Sequence, residues 1–471
     1  MNRIFRFFDR FSSCENERSE SVWGEEEYKH SPHQIIACSP VVEEDREKNV
    51  DVLIIGGGIV GVSVALFLAM KKKDLKIQVL ERGYVGSEAS GLSAGTIWAA
   101  GYGDRSHAGL LLGQMTVELL EELSKKKDVD FEFERSGAFS IAASSDQVER
   151  QSNAVRSLVP HGYEGQMLVG RDAVLKQFPG LGENTTAIGA STWPLSCHVN
   201  PKALTHVIAE EAENLGVYIS EETPVTEIRC LHKSGEENDE EYRYEVQAEN
   251  GSRWHAKHIV VAAGAWVKPL GTSLGLRFPV VPVKGQMWIT EEAPLSAMRS
   301  LIFTTESHVW WSKNSSRDDK HGIPEYCTHD FQGNLLCRHA YGRQTRDGQI
   351  IFGGDRVRCE PDDYTVDEKD LERNIEYVRE FFPNVGNYSL AGTWAGIMGF
   401  SVDGKPLIGE LNELGYPGLW LAAGFGPHGI MEGPGAARAL ADMICRDSDQ
   451  EMNKMMKSFR PCRHDGVKRE F

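Results

Sequence analysis

Strand-length apolar runs and helix-period stretches alternate along most of this chain. The clearest case, VDVLIIGGGIVGVSVALFLAMKKKDLKIQVLER from Val50, reads as strand, tight glycine turn, helix and strand, one βαβ unit with order beginning at Asp51. HVNPKALTHVIAEEAENLGV reads as a helix capped by Asn200, with Pro201 in its first turn and Gly216 after its last. Leu204, Val207, Ile208 and Leu215 form its apolar face. YRYEVQAENGSRWHAKHIVVAAGAW predicts a hairpin turning at Asn250–Gly251 and ending in a buried strand. Val280 to Gly354 is strand-rich around an irregular polar loop, Lys313–Glu325, and Val366–Pro383 is a helix stopped by proline. GLWLAAGFGPHGIMEGPGAARALADMI closes the pattern as strand, glycine turn and helix, and no internal repeat is present. The longest apolar runs, such as Val52–Ile55 and His258–Ala263, are far too short to cross a bilayer as helices.

Composition changes this picture little. The 471 residues, 41% hydrophobic and 25% charged, predict two or three domains of an ordinary soluble globular protein. A formal net charge of -18 argues against a nucleic-acid partner. Much of it sits in runs such as Glu25–Glu27, Glu43–Asp45 and Ser234–Glu241, which read as solvated loops. Residues 1–49 lack steady periodicity and read as a disordered extension, with a short Arg/Phe-rich targeting helix over the first thirteen residues as the alternative. The expected compartment is cytoplasmic, or mitochondrial if that alternative holds. Nine irregularly spaced cysteines read as reduced thiols. Cys327, His329, Cys337 and His339 match no usual zinc spacing, and a strand pair turning at FQGN accounts for them, so no metal is expected.

Gly56, Gly58 and Gly61 form G-x-G-x-x-G between a strand and a helix. The first glycine permits the turn, the second lets a pyrophosphate approach the backbone, and the third lets helix pack on strand. The helix start offers free N–H groups to phosphate. Glu81, twenty residues past Gly61, ends the second strand where an acid binds ribose hydroxyls and repels a 2′-phosphate, leaving NAD or FAD. RGYVGSEASGLSAGTIWAAGYG, a second small-residue stretch, suits the longer FAD.

That stretch resembles the loop that follows the ribose acid in the D-amino-acid oxidase-like family of FAD-dependent oxidoreductases, which includes glycine and sarcosine oxidases and related amine dehydrogenases. VTEI, VVAAGAW, VPVKGQ, WAGIMGFSVDGKPLIG and AAGFGPHGI are similar to further family segments in the family's order, so the resemblance runs from about Asp51 to Ile444. It implies an α/β fold: a Rossmann-like FAD-binding domain from discontinuous segments, and a second α+β substrate domain on a mostly antiparallel sheet. The expected division gives 50–135, 191–275 and 386–446 to the FAD domain and 136–190 and 276–385 to the substrate domain, with 447–471 a flexible tail. Residues implied at FAD are Gly56, Gly58, Ile59, Val60, Gly61, Glu81, Arg82, Ser87, Ser90, Ser93, Ala94, Val225, Ala263, Gly264, Trp266, Gly396, Gly426, Pro427, His428, Gly429 and Ile430. Some relatives attach FAD through a histidine whose place here falls at Ser93, so FAD is expected to be non-covalent, with Cys197 and Cys359 the alternative attachment points.

The resemblance also implies the chemistry. Relatives that oxidise amino acids carry W-A-G-x-R-P, whose arginine grips the substrate carboxylate bidentately; here Met398 stands in the arginine's place. Arg343 and Tyr341 are the candidates to replace it, Lys284 is a candidate cation near the flavin, and His428 a candidate donor at the last glycine turn. The implied reaction is hydride transfer from an amine or amino-acid derivative to flavin N5, giving an imine that hydrolyses, with oxygen or an electron carrier as acceptor. An amine, an N-alkylated amine or a larger amino-acid derivative suits the apolar Met398 wall. Two alternatives stand beside it: a 2-hydroxy-acid or glycerol-phosphate type dehydrogenase, and a flavin-stabilised assembly or scaffold protein with little turnover.

Overall fold

The run of apolar residues in Glu47–Ile55 is covered on both faces: Val52, Leu53, Ile54 and Ile55 are all buried. That burial goes with parallel pairing, and the computed structural model places Arg253–Val261 and Ile77–Leu80 in parallel on either side. It describes residues 47–98, 107–231, 242–304, 327–329, 335–463 and 466–469. The extension up to residue 46, the run Ser234–Glu241 and the Lys313–Glu325 loop lie outside these. The strand starts at Glu47, four residues before Asp51, because Glu47 to Asn49 continue the pairing along Arg253 to His255.

Tyr416–Ala423 and Tyr218–Ser220 extend this first sheet in parallel, and Leu407–Leu411 closes one edge antiparallel. Tyr244–Ala248 pairs antiparallel with Arg253–Val261, and Val225–Cys230 pairs in turn with Tyr244–Ala248. Helix Ile59–Lys71 is apolar nearly all round and buried from Ile59 to Ala69, as a helix of that composition must be. It shares one core with helices His107–Ser124, Pro201–Asn214 and Gly429–Ile444. Asn200 caps Pro201–Asn214 by accepting from the Ala203 N–H at 3.1 Å.

The second sheet is antiparallel except where Leu301–Thr304 runs parallel to Ala138–Ala142. Its long strands are Val280–Glu292, Gln349–Arg358 and Leu390–Ser401, with Val280–Glu292 between the other two. Helix Glu368–Phe381 packs its buried Leu371, Val378 and Phe381 into this sheet's core.

Three expected boundaries are corrected. Leu390–Ser401 belongs to the second sheet, since eleven of its residues pair with Val280–Thr290. Gly189–Trp193 is also a second-sheet strand, so the first crossing back to the nucleotide side comes after residue 193. The segment past residue 447 is not a loose tail. Met456, Phe459 and Val467 are buried, Arg463 forms an ion pair with Asp403, and Lys468–Arg469 pairs with Leu276–Arg277.

Helix Gly429–Ile444 threads between two others where it has no side chains. A Cβ at Gly433 would lie 2.9 Å from Val60 Cγ2, and one at Gly435 would lie 2.0 Å from the Leu112 carbonyl oxygen. Gly435→Ala is therefore expected to lower stability by about 1–3 kcal/mol, the usual cost of overpacking. A lower denaturation midpoint with an unchanged m-value is the expected result in urea.

Candidate functional site

A cavity of about 350 Å³ joins the two sheets. At one end it is lined by Gly56, Gly58, Ile59, Val60, Glu81 and Arg82, with Thr223, Pro224 and Val225 beside them. At the other it is lined by Met287, Tyr341, the stretch Gly396–Gly399, and Phe425 to Pro427 with Gly429 and Ile430. Ser90, Leu92, Ser93, Ala263, Gly264 and Trp266 lie between.

The nucleotide end is shaped by missing side chains. Gly56 has φ +114°, and a Cβ there would lie 2.5 Å from the Ala262 carbonyl oxygen. A Cβ at Gly61 would lie 1.9 Å from the Gly56 carbonyl oxygen. The helix beginning at Ile59 has no side-chain cap, though Ser90 Oγ accepts from the Ile59 N–H at 3.0 Å. Glu81 is buried, and its carboxylate accepts from the Gly57 N–H at 2.6 Å and the Gly83 N–H at 2.8 Å. These bonds fix an acid at the end of the second strand, beside the start of the helix at Ile59. This donor set, in a cavity that also reaches the second sheet, fits an elongated dinucleotide such as FAD.

Ser87 and Ala94 stand in the same stretch but do not line the cavity: Ser87 is exposed, and Ala94 is buried behind Ser93. Gly61 acts through packing. His428 sits at the start of helix Gly429–Ile444 without lining the cavity, its N–H donating to the Phe425 carbonyl at 3.1 Å. Neither Cys197, buried against the first helices, nor Cys359 lines it.

At the other end, strand alternation sorts the candidates. Residues directly opposite one another share a face. Met398, Val283 and Arg358 form one row, and Gly396, Gly285 and Arg356 the next. Met398 lies on the cavity face, and its Cε reaches within 3.0 Å of where a Cβ would stand on Gly285. Tyr341 lines the cavity with its hydroxyl 3.6 Å from Met287 Sδ.

Lys284 departs from expectation. Between Val283 and Gly285 it points to the other face, where Nζ lies 2.8 Å from Asp363 Oδ2 and 3.1 Å from Thr365 Oγ1. Arg343 departs too. It is 3% exposed, its Nε donates to the Ala94 carbonyl at 2.5 Å, and Nη1 lies 3.6 Å from Glu132 Oε2, so it clamps a loop.

Several contributors carry no motif. Arg82 stacks over the Trp266 ring at 4.2 Å and pairs with Glu88 at 2.8 Å. Asp362 accepts from Trp266 Nε1 at 3.0 Å, and the Tyr364 hydroxyl donates to Glu88. Arg82, Glu88 and Trp266 line the cavity, so the segment carrying Asp362 and Tyr364 holds three lining residues in place. Glu88 was available as the acid within the small-residue stretch; Asp362 and Tyr364 had no sequence signal.

Two outcomes are expected. The double variant Asp362→Ala with Tyr364→Phe removes two partly exposed polar contacts of about 0.5–1 kcal/mol each, and releases flavin roughly tenfold faster on dilution, read as loss of protein-bound visible absorbance. His198 concerns pH: burial first, then Arg343 and Arg346, push its pKa down from 6.5 to about 3. The unfolded chain takes up this proton first, so the stability is present above pH 6.5 and is lost as pH falls toward 3. His198→Gln should flatten the slope of unfolding free energy between about pH 6 and 4, measured by denaturant titrations at fixed pH.

Comparison with known proteins bears on the whole chain. The family model described as FAD dependent oxidoreductase (DAO) matches residues 51–443. Mitochondrial dimethylglycine dehydrogenase of Homo sapiens is 27% identical over 415 residues, which cover 84% of this chain and 42% of that protein, so the chain spans less than half of that relative's length. Glycine oxidase of Bacillus subtilis is 26% identical over 430 residues, covering 89% of this chain and 99% of that enzyme. The crystal structure of glycine oxidase from Bacillus cereus matches with a TM-score of 0.68 at 25% identity, over 86% of this chain and 98% of that one. No described helix is long and apolar enough to cross a membrane. Motif order, cavity and family model agree: the chain belongs to the DAO family of FAD-dependent oxidoreductases.

Proposed function

We propose that this chain oxidises a C–N bond of a small amine or amino-acid derivative, giving an imine that water hydrolyses. The observation that carries the reading is the continuity of the cavity from the Gly56–Glu81 end to the apolar Met287–Met398 wall. Bound FAD supplies the acceptor for the hydride that leaves the carbon beside nitrogen. In this reading Gly56, Gly58 and Glu81 hold the adenosine diphosphate portion, and Gly396 and Gly426–Ile430 flank the ring. The start of helix Gly429–Ile444, with His428 beside it, favours negative charge at that end of the site. Tyr341 presents a hydroxyl to the substrate, and the thioethers of Met287 and Met398 give it an apolar wall.

Relatives named glycine oxidase and dimethylglycine dehydrogenase point to amine substrates rather than hydroxy acids. The acceptor is oxygen or an electron carrier. Cys197, Cys230, Cys337, Cys359, Cys445 and Cys462 form no disulfide, which suits a reducing compartment, the cytoplasm or the mitochondrion.

The test is the visible spectrum of the FAD-loaded protein, followed without oxygen as amines, amino acids and 2-hydroxy acids are added in turn. Bleaching by a member of the amine series is expected. Bleaching by hydroxy acids alone, or by nothing in the panel, overturns the reading.

A further inference from the structure

The face that the second sheet turns to the cavity is cut by a trough. Gly285 and Gly396 stand directly opposite each other on strands Val280–Glu292 and Leu390–Ser401, so they share a face, and both line the cavity. The row on one side carries Met398 opposite Val283, and the row on the other carries Met287 opposite Trp394. The two flanking rows lie roughly 13 Å apart along the strands, with no side chain rooted between them.

Neither glycine is there for its backbone, since neither has a positive φ. Glycine inside a strand weakens it, and such a position marks a place where something must come close to the main chain. Over Gly396 that neighbour is Leu92, from the small-residue stretch after Glu81, with its Cβ 3.3 Å from where a Cβ on the glycine would lie. Over Gly285 it is the end of Met398, whose Cε stands 3.0 Å from the corresponding point. Met398 therefore leans along its strand into the trough, while Met287 lies over Gly353 and away from it. All three side chains line the cavity.

Met398 is half-buried and Gly285 is buried beneath it, so the thioether is a surface piece of the wall. An unbranched side chain with three rotatable bonds adapts its end to what lies beside it. A branched residue or a filled glycine would fix the depth of the trough; a methionine end makes it a stopper.

We propose that the trough receives an alkyl substituent on the nitrogen of the substrate, and that Met398 sets the length accepted. The substrate class is an amine with a short unbranched N-alkyl group lying between Met398 and Met287, its end toward Gly285. A carboxylate in that place would exchange water for methyl, methylene and thioether groups. This rests on the amine-oxidising reading of the site and adds which group is measured, and by which residue.

The probes are N-alkylformamides from methyl to pentyl, which are neutral and whose amide nitrogen supports no hydride transfer. Each is titrated into the FAD-loaded full chain and followed by the flavin difference spectrum. Wild type is expected to gain affinity over the first members and lose it where the chain meets Met398. Met398→Ala should move this break by about two or three carbons to longer chains, each newly buried methylene adding roughly fourfold. Gly285→Ala should move it about one carbon the other way, because the new methyl turns the Met398 end into the trough. That displaced atom ends a flexible side chain, so Gly285→Ala decides the matter where Met398→Ala does not fold. N-formylglycinate should bind roughly 10- to 100-fold more weakly than N-isobutylformamide, its neutral counterpart in size.

A break at the same length in all three proteins overturns the inference. So do formamides that leave the spectrum unchanged at every length, and N-formylglycinate held as tightly as N-isobutylformamide. Amines that bleach the flavin with a KM indifferent to N-alkyl length in wild type and variants leave the proposed reaction standing without the trough. A break that moves as expected while no amine bleaches the flavin leaves the trough standing without the reaction.

Discussion

The closeness of Gly61 to the Gly56 carbonyl, where a Cβ would come within 1.9 Å, is the constraint on which the rest of the molecule depends. It lets helix Ile59–Lys71 begin at the very end of strand Glu47–Ile55 and lie flat on the first sheet. A helix so placed is buried along nearly its whole length, which explains why its sequence has almost no polar face. Gly433 then brings helix Gly429–Ile444 against it, and Gly435 brings the same helix against His107–Ser124. Two helix starts, at Ile59 and Gly429, open into one cavity as a result. Each adds partial positive charge where a cofactor carries negative charge.

The second sheet is tied to this arrangement by backbone carbonyls of a single loop. Trp394 Nε1 donates to the Leu92 carbonyl at 2.8 Å, and Arg343 Nε to the Ala94 carbonyl at 2.5 Å. Both donors come from second-sheet strands, and both acceptors from the small-residue stretch after Glu81. The stretch needs small residues because it is held between two sheets. Strand Leu390–Ser401 is pressed against the opposite loop as well, where a Cβ on Gly399 would lie 2.9 Å from the Gly264 carbonyl oxygen. Burying the Arg343 charge is costly unless it is compensated; the Ala94 carbonyl supplies a hydrogen bond and the Glu132 carboxylate, 3.6 Å away, an opposite charge.

What could be read from the sequence was local. The βαβ unit, the capped helix after Asn200 and the hairpin at Asn250–Gly251 are each specified within about thirty residues, by periodicity and turn chemistry. The long-range pairings were not legible. Leu390–Ser401 pairs with a strand about a hundred residues earlier, and its turn-rich composition gave no sign of which sheet it joins. Met456 and Phe459 end in the core because helix Gln450–Met456 folds back, which their spacing alone does not announce. Lys284 was placed correctly along the chain but on the wrong face, since a motif fixes position and the pleat fixes direction. Asp362 and Tyr364 lie in a polar connection whose role exists only because Arg82 and Glu88 stand across from it.

The same distinction governs how a lost residue is interpreted. In one dimension, methionine at the place of a family arginine is a deletion of charge. On a sheet, position 398 is one of several that share a face, and its neighbours in space are 283 and 285, then 356 and 358, none adjacent in sequence. Gly285 and Gly396 leave that row to their neighbours: Met398 Cε stands 3.0 Å from where a Cβ on Gly285 would lie, and Leu92 Cβ 3.3 Å from one on Gly396. The two glycines and the methionine therefore belong to one arrangement: an apolar surface at the place where the resemblance implied charge, built by Met398 and Leu92 over the space the glycines leave.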